Sequence, residues 1–156
     1  MKKSFLKRLK KEGKLEVVES SEELKQSYIL KSESNLISAR ILLASERLEE
    51  SVSLAYYSMY HMLTALLFRT GIKSENHSAS IFLLKEVFDI GNKDILNAKT
   101  ERIDKQYYVD FVITKKDVEE TIRKAEEFNA KILDFISKLN NETVKSYRQK
   151  FSLSFE

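Results

Sequence analysis

Cysteine and proline are absent from this chain, and glycine occurs only as Gly13, Gly71 and Gly91. Without cysteine there can be no disulfide framework, thiolate metal site or cysteine nucleophile, and the composition fits a reducing compartment, so the protein is read as cytoplasmic. Without proline, and with so little glycine, the usual helix breakers are missing and long helices are expected. Ser, His, Arg or Lys interrupts every apolar stretch before it reaches the roughly 20 residues that cross a bilayer, so no membrane contact is expected. The N-terminus is basic but lacks the apolar centre of a secretory leader. There are two histidines, neither in an H-E-x-x-H arrangement, and no glycine loop to cradle phosphate, so neither metal nor cofactor is expected. Glu119-Glu120 and Glu126-Glu127 fall on the outer face of a helix, where solvation explains them better than acid–base catalysis.

The 156 residues and net charge of +3 describe one mildly basic domain, large enough to bury roughly two-thirds of the surface of its unfolded chain. The excess positive charge is concentrated at the N-terminus, where Lys2, Lys3, Lys7, Arg8, Lys10, Lys11 and Lys14 are set against Glu12 alone. Such an arm is either a solvated terminal segment or a holder for RNA or an acidic partner.

The most apolar and aromatic window is Ala55 to Gly71, followed by His77. Val52, Ala55, Met59, Met62 and Leu66 recur at spacings of three and four, with Tyr56, Leu63 and Leu67 beside them, so this central helix is buried on most of its circumference. The remaining stripe, Ser53, Tyr57, His61, Thr64 and Phe68, is polar or aromatic where a plain core helix would be charged. Gly71 ends the helix in a left-handed conformation.

Around that helix the pattern predicts an all-α protein, an antiparallel up-and-down bundle of four to five helices. A first long helix of about 28 residues begins at a Ser20/Glu23 capping box and runs through Leu24, Tyr28, Leu36, Leu43 and Leu48, weakened locally by Ser32, Ser34 and Ser38. A turn is needed between Glu46 and Ser51. Residues 72–77 are expected to be a loop, followed by a helix carrying Ile81, Leu84 and Phe88 that Gly91-Asn92 closes, with Asn92 as the next N-cap. Thr114 with Asp117 starts the clearest amphipathic helix, Val118 to Leu139. The strand signal at Leu15 to Val18 is too short to found a sheet. The chain thus divides into a basic arm (1–19), a helical bundle (20–139) and a helical extension or tail (140–156).

Chemistry is left to a few residues in the middle of the chain: Tyr57, His61, Arg69, His77, Arg102, Tyr107 and Tyr108. Each also has a plain structural role available. His61 serves as a hydrogen-bonded interior histidine, His77 as the cap of a helix starting at Ser78, Arg102 as a surface ion pair, and the tyrosines as packing aromatics with satisfied hydroxyls.

The run Ala55-Tyr56-Tyr57-Ser58-Met59-Tyr60-His61, then Ala65-Leu66-Leu67, Gly71-Ile72 and His77-Ser78, resembles the core signature of HEPN domains. These are helical modules of prokaryotes and higher eukaryotes first named for supposed nucleotide binding. Arg102, Tyr107 and Thr114, with Ala125-Glu126-Glu127-Phe128, resemble the second half of that family, so the likeness covers residues 20 to 139. It implies a homodimer, a nucleotide or RNA ligand held by Tyr57, His61, Arg102 and Tyr107, Gly71 and His77 as structural motif residues, and a separate minimal nucleotidyltransferase as partner.

The sequence departs from the family pattern at Thr64, where relatives often carry Arg, and at Gln106, where they often carry Asp. It departs further at the R-x(4–6)-H motif of the family's ribonuclease toxins, because Arg102 is followed by Tyr107 and not by histidine. A tyrosine with a pKa near 10 is deprotonated in only about one molecule in a thousand at neutral pH. The resemblance therefore implies a non-catalytic binding module of a toxin–antitoxin-like pair. The alternatives are a metal-independent ribonuclease toxin using Arg102 with His61 or His77, and a purely structural dimer.

Overall fold

The computed structural model describes residues 2–107 and 112–155, and the side chains of these except 103–107. The elements in order are α1 (Lys2–Lys11), β1 (Leu15–Val17), α2 (Glu22–Ala44), α3 (Leu48–Thr70), β2 (Ile72–Ser74), α4 (His77–Glu86), α5 (Lys93–Tyr107), α6 (Lys115–Ser137) and α7 (Asn141–Ser154). The fold is all-α as expected, with helices gathered around α3. Tyr56, Met59, Leu63 and Leu66 of α3 are fully buried, together with Ile81 and Leu84 of α4, Ile95 of α5 and Val118 and Ile132 of α6.

Among the described residues, the regular structure other than helix is a short antiparallel ribbon that registers Leu15 with Ser74, Glu16 with Lys73 and Val17 with Ile72. The β2 segment was expected to be a loop, and β1 alone was too short to found a sheet. Burial makes the difference, because Leu15 and Ile72 are both sealed in the core. The ladder is also extended at both ends, Val18 donating to the Gly71 carbonyl at 2.8 Å and Glu75 to that of Lys14 at 3.1 Å.

Ser21, not Ser20, caps α2, accepting from the Leu24 N–H at 3.1 Å, while the Ser20 hydroxyl donates to the Arg69 carbonyl. The helix stops at Ala44, and Leu48 opens α3 instead of continuing α2. The turn is made at Glu46, which adopts φ 59° without being glycine. The two helices run antiparallel and very close. Ser32 and Ser58 each donate to the other's backbone carbonyl, at 2.7 and 2.8 Å, and Ser51 donates to the Ala39 carbonyl at 2.7 Å. Ser32, expected to weaken α2, is thus part of a buried seam where a small side chain permits close approach and its hydroxyl leaves no donor orphaned. The Asn129 amide of α6 joins the seam by donating to the Ser58 hydroxyl at 2.8 Å.

Gly71 caps α3 in the left-handed conformation expected, φ 73° and ψ 39°. The guanidinium of Arg148, on α7, lies against this cap and donates to the carbonyls of Val18, Thr70 and Gly71. A side chain at Gly71 would occupy that guanidinium's place and stand 2.5 Å from the Val18 carbonyl oxygen. Downstream, α4 ends at Val87, and Asp89, at φ 53°, makes the turn that had been expected at Gly91. Asn92 precedes α5, its carbonyl accepting from Leu96 and its side-chain amide donating back to Ile81 at 3.0 Å. The Thr114/Asp117 capping box opens α6 as expected. A second box, Asn140 with Thr143, opens α7, whose Val144 and Phe151 are buried. At the other end of the chain, α1 buries Leu6 and Leu9. No helix among the described residues is long and apolar enough to cross a membrane.

Candidate functional site

Three elements meet where the first turn of α4 and one face of α5 lie against the middle of α3. Asn76 caps α4 by accepting from the Ala79 N–H at 2.9 Å, so His77 is free of the capping role and opens the helix itself. Its Nδ1 lies 2.9 Å from the Tyr56 hydroxyl oxygen, and its ring stacks on Tyr60 with centroids 3.7 Å apart and planes within 15°. Burial pushes the phenol of Tyr56 well above the ordinary tyrosine range. The same effect, reinforced by nearby Lys99 and Arg102, lowers the pKa of His77. Both groups are neutral at pH 7, and we assign the hydroxyl as donor to Nδ1, which leaves the imidazole proton on Nε2.

Tyr57 joins the other parts. Its ring lies edge-on to His77 at 6.3 Å and near-parallel to His61 at 6.1 Å, and the Arg102 guanidinium lies over it, 5.0 Å from the centroid. A cation held over a ring in this way is worth about 0.5–2 kcal/mol, depending on desolvation. Arg102 also faces Tyr56 at 5.9 Å, while its Nε is buried and has no hydrogen-bond partner among the described residues. One turn earlier on α5, the Lys99 ammonium donates to the Ser78 hydroxyl at 2.5 Å, and burial together with Arg102 lowers its pKa. No ion pair is made by Lys99 or Arg102 among the described residues.

His61 belongs to the α2 side of the same stripe. Its Nδ1 donates to the Asn35 side-chain carbonyl at 2.7 Å, and Tyr28 lies 5.8 Å from its ring. Burial first, then Lys31 and His77, lower its pKa to about 4. Phe68 is stacked on Tyr28 at 5.4 Å, and Thr64 turns its hydroxyl back to the Tyr60 carbonyl. The stripe is therefore half covered by α2 within one chain.

The structure thus brings Tyr57, His61, His77 and Arg102 into one cluster. Arg69 lies apart, tied to Glu22 at 2.9 Å where α2 begins. Tyr107 ends α5, and its side chain, like that of Gln106 and all of Tyr108, lies outside the described residues. Tyr56, Tyr60 and Ser78 were not named as site residues in the sequence, and Lys99 and Asn35 were not singled out at all. Lys99 had one available signal, since it precedes Arg102 by three residues on a helix and so shares its face.

The opposite face of α5 has the opposite character. Asp94 and Glu101 line a cleft of about 310 Å³ against Asp117 and Glu120 of α6. An acidic cleft suits neither phosphate nor nucleotide, so the candidate site is the cationic face. Among the described residues, no three His, Asp or Glu side chains converge as metal ligands do.

Residues 25–135 match the HEPN domain family, and because the match takes in more than half of the chain, the protein belongs to that family. A curated relative, the UPF0332 protein PH1297 of Pyrococcus horikoshii, is 43% identical over 56 residues, 36% of this chain and 39% of the relative. The chain thus matches about two-fifths of that protein's length.

Proposed function

We propose that this HEPN protein is a non-catalytic binding module that holds a nucleotide or RNA phosphate at Arg102 and Lys99, with Tyr57 and His61 beside it. The observation that carries this reading is Arg102. Its guanidinium is fixed over Tyr57, with a buried Nε that nothing among the described residues satisfies and a second cation one turn away. A guanidinium with an unpaired Nε beside an ammonium is a strong donor site for a phosphate, whose oxygen would accept the missing charge-assisted hydrogen bond. Acid–base chemistry is less well served. Both histidines are neutral, hydrogen-bonded through Nδ1 and lowered in pKa, which makes each a weak proton acceptor.

The protein acts in this proposal as a homodimer and as accessory subunit to a separate minimal nucleotidyltransferase in a toxin–antitoxin-like pair. Leu30, Ile37 and Ile41, exposed by 57%, 56% and 61% on one side of α2, offer an apolar face that supports self-association. Light scattering should then give twice the chain mass of 18.2 kDa, and a monomer at tens of micromolar would remove the dimer from the proposal.

Binding and cleavage are tested together, with labelled oligoribonucleotide and nucleoside monophosphate in EDTA. The expected result is binding without cleavage, weakened at least ten-fold by Arg102→Ala. EDTA-resistant cleavage by the unmodified protein, abolished by Arg102→Ala and by His77→Ala or His61→Ala, would replace the binding module with a metal-independent ribonuclease.

A further inference from the structure

Next to the Arg102 site, on the same stripe of α4, stands a second group of cations and aromatic rings. Ser78, which receives the Lys99 ammonium, and Phe82 are four residues apart and therefore neighbours on one helix face, about 6 Å from each other. Phe82 is half-buried and meets Phe5 of α1 edge-to-face at 6.3 Å. Each of these rings carries a cation from the exposed side of α1. The Lys2 ammonium is 4.9 Å from the Phe82 centroid, and the Arg8 guanidinium is 5.5 Å from that of Phe5.

The two rings pack at the edge of the hydrophobic core and join α1 to α4, beside Leu6 and Leu9, both buried, and Lys10, which reaches across to the Ser152 carbonyl of α7 at 3.2 Å; that packing does not require a cation over either ring. Lys2 reaches Phe82 of α4, and Arg8 lies over Phe5 of its own helix. The nearby acids are few. Glu12 lies 3.9 Å from Arg8, but it is the closer partner of Lys14, at 3.1 Å, and Glu86 follows Phe82 by one turn of α4. Aromatic faces interleaved with cations are what unpaired nucleic acid uses, because every base offers a ring to stack and every phosphate a charge to neutralise. An acidic peptide would use the cations and leave the rings idle.

We propose that Lys2, Phe5, Arg8 and Phe82 continue the Arg102–Lys99 site into one track across α4, along which a single-stranded polynucleotide lays its phosphates on the cations and a base on the Phe5–Phe82 pair. The track rests on the proposal that Arg102 and Lys99 bind phosphate, and it adds a second point of contact for a longer strand. A mononucleotide fills only the first point. A strand of several nucleotides fills both, so affinity rises with length until the track is covered.

The test compares the wild type, a Lys2→Ala/Arg8→Ala double variant and Arg102→Ala. Binding of uridine monophosphate is followed by calorimetry and binding of a fluorescent 12-nucleotide oligouridylate by anisotropy, at several salt concentrations. Lys2 and Arg8 are exposed, so the double variant should melt like the wild type. It should bind the monophosphate unchanged and the 12-mer about ten-fold more weakly, with the slope of log affinity against log salt reduced by about 1.4, roughly 0.7 for each lost phosphate contact. Arg102→Ala should weaken both ligands. If Arg102→Ala weakens the monophosphate while the double variant binds the 12-mer like the wild type, the site stands and the track falls. If Arg102→Ala changes neither, the site falls. Displacement of the 12-mer by polyglutamate of equal charge as readily as by unlabelled oligouridylate would assign the α1 face to an acidic polypeptide and overturn the track.

Discussion

The Tyr56 hydroxyl and Nδ1 of His77 stand 2.9 Å apart, joining a fully buried residue of the central helix to the first residue of α4. The bond sets the histidine's tautomer and aims Nε2 away from Tyr56. It also favours the neutral imidazole, which the adjacent Lys99 and Arg102 favour as well.

The first prediction follows from that bond. Tyr56→Phe should raise the His77 pKa toward its ordinary value and lower stability by about 1 kcal/mol, the net worth of one hydrogen bond. Arg102→Ala should also raise it, by removing a neighbouring positive charge. Imidazole titrations followed by NMR read both effects, and a downward shift in either variant would contradict the arrangement.

The second concerns pH and stability. His61 has a folded pKa of about 4, below its unfolded value near 6.5. The unfolded chain therefore takes up a proton at that position which the folded chain refuses. The stabilising contribution is complete above about pH 6.5 and is lost as pH falls toward 4. Allowing for partial solvent screening, we expect a loss of about 1–2 kcal/mol. Urea unfolding at pH 7 and pH 4.5 should show a smaller acid penalty in His61→Gln than in the wild type, and equal penalties would show that His61 is not desolvated.

The third concerns the cap of the central helix. Gly71→Ala forces φ 73° on a residue with a Cβ, at a cost of about 1–2 kcal/mol, and adds the collision with the Arg148 guanidinium. The total should exceed 2 kcal/mol. Arg148→Ala removes the collision but also takes a donor from three carbonyls, so the double variant should be more stable than the sum of the two single losses predicts. Strict additivity in thermal or urea unfolding would mean that the two residues do not meet.

A fourth concerns the seam between α2 and α3. Ser58 accepts from Asn129 and donates to Ser32, so Ser58→Ala leaves the buried Asn129 amide unsatisfied and should cost about 1–3 kcal/mol. Pairing it with Asn129→Leu should recover part of that loss, and no recovery would place the cost elsewhere.

What could be read in the sequence was local. The Thr114/Asp117 box, the stop at Gly71 and the buried stripe of α3 each depend on residues within a turn or two of one another. The turns at Glu46 and Asp89 are local too, but they fall at positive φ on residues that are not glycine and so carried no signal, whereas the β1–β2 ribbon depends on distant partners. Leu15 becomes a strand residue only because Ile72 is brought beside it. The site divides in the same way. Tyr57, His61, His77 and Arg102 stood out as polar or aromatic side chains in apolar surroundings, and the fold gathers them. Tyr56 was legible as a core residue, but the partner of its hydroxyl depends on where α4 begins, and Asn76 rather than His77 fixes that. Nothing local to Phe68 points to its cover either, because Tyr28 lies on another helix.

The carbonyls that accept from Arg148 come from the end of β1, the last residue of the central helix and its cap, and the guanidinium comes from the last helix. The two ends of the described chain therefore close on a single point of its middle. Amide hydrogens in β1, β2 and the last turn of α3 should exchange as one group with those of α7, and loosening either end should release the other at the same denaturant concentration. The helix that carries Tyr57 and His61 is thus anchored at its far end by both flanks of the chain, and a strand or partner that pulls on α1 will be felt at the Gly71 cap.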